Sequence, residues 1–137
     1  MAETHLARLH VDSGQTVALA IQAGAADVTV IETLTRNDQV ALTIRPGSVI
    51  PAVSSALGRA ILAFQPAEKR AAALAAPAPG LAGEAPRDVA TVERMLSTVR
   101  ERWYEVAVNE RLPGVAALAA PVFDDRGQPV AAVSVIG

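Results

Sequence analysis

The chain has 137 residues, 51% of them apolar, a formal net charge of −2 and no cysteine. That length corresponds to one domain with a core of its own, and the apolar share argues against disorder. The missing thiols exclude disulfides, thiolate metal ligands and cysteine nucleophiles, and the twelve basic residues, all arginines except Lys69, are dispersed, which speaks against a free-standing nucleic-acid binder.

The apolar residues are mostly Ala and Val, with one Trp, one Tyr and two Phe. An Ala-rich interior fills less volume per residue, so it favours an internal cavity. The start Met1-Ala2-Glu3-Thr4-His5 does not read as a signal peptide. The longest apolar run, Val115 to Phe123, is interrupted by Pro121 and is about half the length a membrane span needs. A soluble, cytoplasmic protein is expected.

In chain order, Leu6 to Ser13 reads as the end of a helix stopped by Gly14. Thr16 to Gln22 and Asp27 to Leu34 read as strands joined by the hairpin-length Gly24-Ala25-Ala26. Val40 to Arg45 reads as a third strand, ended by Pro46-Gly47. Ser54 to Phe64 is a helix, with Leu57, Ala60, Ile61 and Phe64 spaced along one face and Ser54 or Ser55 as N-cap. Pro66 ends it, and Ala67 to Ala76 forms a short helix. Pro77 to Pro86 is a Pro- and Gly-rich loop. Asp88 caps the longest helix, whose Val89, Val92, Leu96 and Val99 share a face. Three strands close the chain, Trp103 to Val108, Val115 to Phe123 and Val130 to Ile136, the last two joined by a turn at Asp124-Asp125-Arg126-Gly127. Strands, helices and strands in that order predict an α+β fold in α/β/α layers, around a largely antiparallel sheet of about six strands.

Several segments resemble one family. Pro46-Gly47-Ser48-Val49-Ile50-Pro51, followed by Ser54-Ser55-Ala56-Leu57-Gly58-Arg59-Ala60-Ile61-Leu62-Ala63, resembles the effector domains of IclR-type bacterial transcription regulators. So do Arg100 to Tyr104, Glu110, Gly114-Val115, Ala119 to Asp124 with Gly127, and the closing Ser134-Val135-Ile136-Gly137. With Gly14 to Leu19, the resemblance runs nearly the whole chain in order. It implies a GAF-like domain with a small-molecule pocket on one side of the sheet, in a cytoplasmic regulator that oligomerises as a homodimer or larger homo-oligomer. It also implies a winged helix-turn-helix that would carry DNA binding. Residues 1–137 are then expected to be a single effector-binding domain, truncated at both ends, with the DNA-binding part absent and no affinity for duplex DNA by itself.

Alternation along the last three strands separates two faces. One carries Tyr104, Val106, Val108, Ala116, Leu118, Ala120, Val122, Ala131, Val133 and Val135, and is apolar and bulky. The resemblance implies helices at both chain ends covering this face, and the N-terminal segment here supplies at most a stub. The face is therefore expected to pair with a second copy, unless Leu6 to Ser13 or the Ala67 to Ala76 helix folds over it. The other carries Trp103, Glu105, Ala107, Asn109, Val115, Ala117, Ala119, Pro121, Val130, Ala132, Ser134 and Ile136, smaller and mixed in polarity, where a cavity is expected. Pro121 is a place where a bulge would shift this parity. The expected pocket residues are Val49, Ser55, Ala56, Ala107, Ala117, Ser134 and Ile136. The resemblance puts polar groups, typically an acid, a cysteine and two serines, at the positions of Ala107, Ala117, Ser134 and Ile136. Only Ser134 is retained, which favours an apolar or aromatic ligand over a small hydrophilic acid.

Each residue also has a plainer reading. Ser134 suits a strand serine bonded to backbone as well as a ligand contact. Ser54 and Ser55 read as helix caps rather than ligand donors, although a capped helix N-terminus can also receive a carboxylate, and Gly58 allows close packing. Arg59 reads as a solvated charge, and Glu105, Asn109 and Glu110 as exposed or rim groups. Trp103, where the family usually has glycine, either fills pocket volume or shields the sheet end. His5 and His10 are poorly spaced to share a metal. No cofactor or catalytic constellation is expected, since both histidines lie in the first ten residues. A sensing domain, an oligomerisation module with a closed pocket, and a GAF-like enzyme are the three alternatives, with the enzyme the least supported.

Overall fold

The computed structural model describes residues 2–35, 44–76, 88–110 and 114–137. Helix α1 spans Ala2–Ser13 and ends where Gly14 takes φ +67 and donates its N–H to the His10 carbonyl at 3.0 Å. Glycine has no Cβ to oppose that left-handed conformation. Strands β1 (Thr16–Ala23) and β2 (Asp27–Leu34) form the expected hairpin, with a register shift between Leu19 and Ala20.

The third strand differs from expectation. Residues 40–43 lie outside the described residues, and Ile44 and Arg45 are not in a strand. Arg45 and Ser48 instead close a turn, with Ser48 N–H donating to the Arg45 carbonyl at 2.9 Å. Strand β3 is Val49–Pro51, running antiparallel to β2 with Ile50 opposite Val28. The expected loop from 77 to 86 also lies outside the described residues.

A single 3₁₀ turn, Ala52–Ser54, leads into helix α2, Ala56–Leu62. Ser55 is its cap: the backbone is extended there, and its Oγ accepts the Gly58 N–H at 3.0 Å. Helix α3 is Ala67–Ala75. Helix α4, Val89–Arg102, is capped by Asp88 through the Thr91 N–H at 2.9 Å. It buries Val92, Leu96 and Val99. Val89, expected on that face, lies in the first turn and is exposed.

Strands β4 (Glu105–Val108), β5 (Ala116–Phe123) and β6 (Pro129–Ile136) complete a six-stranded antiparallel sheet, ordered β3-β2-β1-β6-β5-β4. Pro121 does not break the alternation, because it pairs with Ala132 and the irregularity falls one step later, between Val122 and Phe123.

One sheet face carries the core. Ala18, Ala20, Val28, Val30, Ile50, Ala107, Ala119, Ala132 and Ile136 pack with Leu57, Ala60, Ile61 and Leu62 of α2 and with the buried side of α4. The small face, not the bulky one, therefore lies under the main helix layer. Alanines on the strands let α2 come close, and Gly58 extends this: a Cβ there would collide with the backbone of Ala52. On the opposite face α1 packs against β1 and β2, where Leu6 and Val17 are buried outside the main core. Over β4 and β5 that face is open: Val106, Val108, Leu118 and Val122 are exposed. Among the described residues, no helix is long and apolar enough to cross a membrane.

Candidate functional site

Between α2 and the core face of the sheet lies a cavity of about 40 Å³. Sheet register builds one wall: Ala107 of β4 pairs with Ala117 of β5, which pairs with Ile136 of β6. Ser134 lies two residues back from Ile136, between Ala119 and Ala18 on the neighbouring strands. Two short side chains in one row leave the sheet too thin to meet α2 fully, and the shortfall remains as space. Ser55, Ala56 and Leu57, at the start of α2, form the opposite wall. Ile44, Ile50, Glu110 and Val115 close the rest.

Six of the seven residues expected to form the pocket line this cavity: Ser55, Ala56, Ala107, Ala117, Ser134 and Ile136. Val49 does not. It is 60% exposed, because Ile50 is the residue of β3 that turns to the core and its neighbour must turn away. Trp103 does not fill the cavity either. It follows the last turn of α4 with φ 73, a left-handed conformation that favours glycine. Its ring stacks on Phe64 at 5.0 Å and meets Phe123 edge-on at 5.8 Å, so it shields the end of the sheet.

The polar chemistry centres on Arg59, and here the sequence reading needs correction. Arg59 is fully buried, not solvated, and Glu105 and Glu110 are buried with it. Its Nε donates to Glu105 Oε2 at 2.6 Å, Nη1 to Glu110 Oε1 at 2.7 Å and to the Val53 carbonyl at 3.0 Å, and Nη2 to Glu110 Oε2 at 2.8 Å. Arg102 Nη2 reaches the second oxygen of Glu105 at 2.8 Å. Two arginines thus balance two carboxylates. Burial by itself would lower the Arg59 pKa, but hydrogen bonds and attraction from Glu110 and Glu105 outweigh it and hold the guanidinium above its ordinary value.

A signal for this network was present in the sequence. Helix α2 reads Ala-Leu-Gly-Arg-Ala-Ile-Leu and is buried all round, as a helix without a polar face should be. A charge on such a helix needs buried partners, and alternation puts Glu105 on the same face as Ala107. Asn109, by contrast, serves its own loop: with φ 60 it accepts the Gly114 N–H through Oδ1 at 2.7 Å.

The other cavity-lining polar groups differ in how far they are satisfied. The Ser55 hydroxyl caps α2 and contacts the Pro51 carbonyl at 3.5 Å. Ser134 Oγ is buried in the cavity wall with no hydrogen-bond partner among the described residues. His5 is exposed, and His10 Nδ1 bonds the Gln15 carbonyl at 2.6 Å. Among the described residues no group of three or more His, Cys, Asp or Glu could hold a metal ion.

The same architecture recurs in known proteins. The family model described as "Bacterial transcriptional regulator IclR C-terminal" matches residues 1–137. The glycerol operon regulatory protein of Streptomyces coelicolor is 31% identical over 127 residues, covering 91% of this chain and 48% of that protein. The crystal structure of the Thermotoga maritima IclR superposes with a TM-score of 0.91 at 28% identity, covering 99% of this chain and 55% of that one. An IclR homologue from Microbacterium hydrocarbonoxydans, complexed with 4-hydroxybenzoate, has the same fold at a TM-score of 0.88 and 23% identity, over 98% of this chain and 55% of that one. The chain spans about half the length of the curated relative it matches. Sheet order, helix placement and family match agree: this chain belongs to the family of IclR-type bacterial transcription regulators, and corresponds to their C-terminal domain.

Proposed function

We propose that this domain senses a small, largely apolar or aromatic molecule in the alanine-walled cavity, on behalf of a cytoplasmic transcription regulator. The observation that carries the reading is the Ser134 hydroxyl, buried and unmatched in the cavity wall. Buried hydroxyls nearly always find a partner, and an orphan in a native interior calls for an explanation. A ligand that supplies the missing bond stabilises the folded state, by an amount that grows with the logarithm of its concentration over its Kd. The 4-hydroxybenzoate complex of the Microbacterium relative supports an aromatic effector. Ala107 and Ala117, lacking polar atoms, point the same way.

Thermal melts of the domain with a panel of ring compounds and small acids test this. A saturating ring compound is expected to raise the melting temperature by several degrees. A panel that never shifts it sinks the proposal.

The cavity volume favours a second reading. An apolar cavity of about 150 Å³ takes a benzene ring, and this one measures about 40 Å³. Seating a ring requires the side chains of Ile44, Ile50 or Leu57 to swing aside. If they cannot, the domain is an oligomerisation module with a closed pocket.

For partners, we propose a second copy of this chain on the open face of β4 and β5, where Val106, Val108, Leu118 and Val122 are exposed. DNA contact is proposed to lie in a winged helix-turn-helix outside residues 1–137, consistent with relatives about twice as long and with the net charge of −2.

A further inference from the structure

Among the described residues, β4 forms one edge of the sheet and β3 the other. In a strand, alternate residues turn their N–H and C=O groups to opposite sides. An edge strand therefore offers every second residue to a further strand. Just past β4, the Asn109 N–H donates to the Val115 carbonyl at 3.1 Å, which fixes the parity. Glu105 and Ala107 bond to β5, and Tyr104, Val106 and Val108 turn their backbone groups outward.

Two of those outward groups are already taken by side chains. The Val106 N–H donates to Glu105 Oε1 at 2.9 Å, and the Tyr104 carbonyl accepts from Arg102 Nε at 2.8 Å. Both caps are held in place. Glu105 Oε1 also accepts Arg102 Nη2 at 2.8 Å, and its Oε2 accepts the buried Arg59 Nε at 2.6 Å. The Arg102 guanidinium lies over the Tyr104 ring, 4.6 Å from its centroid. Past Val108 the chain leaves the strand at Asn109, with φ 60. A strand laid along β4 would have to displace a charged, hydrogen-bonded pair to reach its first two bonding residues.

The other edge is closed by different means. The Val30 N–H donates to the Ser48 carbonyl and the Ala52 N–H to the Ala26 carbonyl, so Val49 and Pro51 are the residues of β3 whose backbone turns outward. Pro51 has no N–H to offer, and its carbonyl accepts Ser54 Oγ at 3.2 Å.

We propose that Glu105 and Arg102 guard the β4 edge against strand addition by a second copy of this chain, so that copies meet on the open face of β4 and β5 and do not extend the sheet. The guard stands on the geometry of the edge; the meeting place rests on the reading of that face as a self-association surface.

Leu118→Lys, which should abolish association through the face, is the background for the test. In it, Glu105→Ala with Arg102→Ala removes both caps and leaves the bidentate Arg59–Glu110 pair. Where circular dichroism stays native, this protein is expected to self-associate in sedimentation and to show the infrared band of intermolecular strands. Leu118→Lys alone should stay monomeric. Adding Val106→Pro deletes the outward N–H without removing a bond to β5, and should return the protein to monomer. A natively folded, guard-free protein that stays monomeric at high concentration overturns the guard. So does association that Val106→Pro leaves unchanged. Hydrogen exchange on the wild-type domain reads the cap without any variant. The Val106 amide is expected to exchange at least about tenfold more slowly than that of Val108, which also turns outward. Equal rates overturn the proposal. A monomeric wild type, or a Leu118→Lys dimer without the intermolecular band, sinks the face reading and leaves the guard standing. A Leu118→Lys dimer with that band overturns both.

Discussion

Arg59 and Glu110 meet end to end in a bidentate ion pair, 2.7 and 2.8 Å across its two bonds, with both side chains removed from solvent. The pair joins the middle of α2 to the residue where β4 gives way to the loop leading to β5. It fixes one wall of the cavity through two strong, directional contacts. Glu105 and Arg102 extend the same network to the base of α4.

Removing the cation should be severe. Arg59→Met leaves two buried carboxylates without their partner, and breaking a buried pair costs about 3–5 kcal/mol. Urea denaturation of wild type and variant reads this directly, and a loss below about 1 kcal/mol would show the network to be weak. The raised guanidinium pKa makes the sign clear. Its contribution is fully present below the unfolded arginine pKa and is lost only as pH rises through the still higher folded value. The cation therefore does not titrate between pH 5 and pH 9.

Gly58→Ala should destabilise, against the usual trend. In an exposed helix the exchange gains up to about 1 kcal/mol. Here the new methyl would press into the Ala52 backbone, which cannot move without displacing the turn that leads into α2. A loss of about 1–3 kcal/mol is expected from overpacking. A variant as stable as wild type would mean that the two segments separate freely.

Ser134 and Ala117 are best tested together. Ser134→Ala removes an unmatched buried hydroxyl, so the ligand-free domain should be unchanged or gain up to about 1 kcal/mol. Ala117→Trp places an indole where the resting cavity is too small for a single ring, so it should cost at least about 1–3 kcal/mol by overpacking. In a protein whose circular dichroism stays native, it should abolish any ligand-induced rise in melting temperature. A full ligand response in the Trp variant would move the binding site elsewhere.

Asp88 offers a pH prediction. Hydrogen bonds from the Thr91 side chain and backbone hold its carboxyl below the usual value. Its stabilisation of α4 is therefore present above the unfolded carboxyl pKa and lost as pH falls through the folded one. Asp88→Asn keeps the cap and should flatten that part of the acid limb, whereas Asp88→Ala should lower stability at neutral pH. Acid limbs that superpose for wild type and the Asn variant would count against this assignment.

The open face predicts self-association. Val106, Val108, Leu118 and Val122 are exposed, on the part of the sheet away from β1 and β2, where α1 packs. Analytical ultracentrifugation should find a dimer for wild type and a monomer for Leu118→Lys. A wild type that stays monomeric at high concentration without aggregating refutes the second copy as the occupant of this face.

Much of the fold is determined by local rules that a reader of the sequence can apply. Period-2 alternation and the turn at Asp124 to Gly127 define β5 and β6. Gly14 and Asp88 mark helix ends, and small side chains at Ala107 and Ala117 signal a thin, cavity-bearing face. Those features depend on each residue's own backbone preferences and volume, and on neighbours a few positions away. What only the tertiary structure decided are matters of partnership between distant segments. Val49 lost its place in the pocket to Ile50 because pairing with β2, not local pattern, sets which side of β3 faces in. Arg59, with its carboxylates 46 and 51 residues away in sequence, could pass for a surface charge until the sheet brought those groups to it. Ser134 could pass for a strand serine bonded to backbone until packing left its hydroxyl alone in a cavity wall. A charge or hydroxyl has the same sequence identity whether it faces water or protein, and only the assembled core determines which partners it must find.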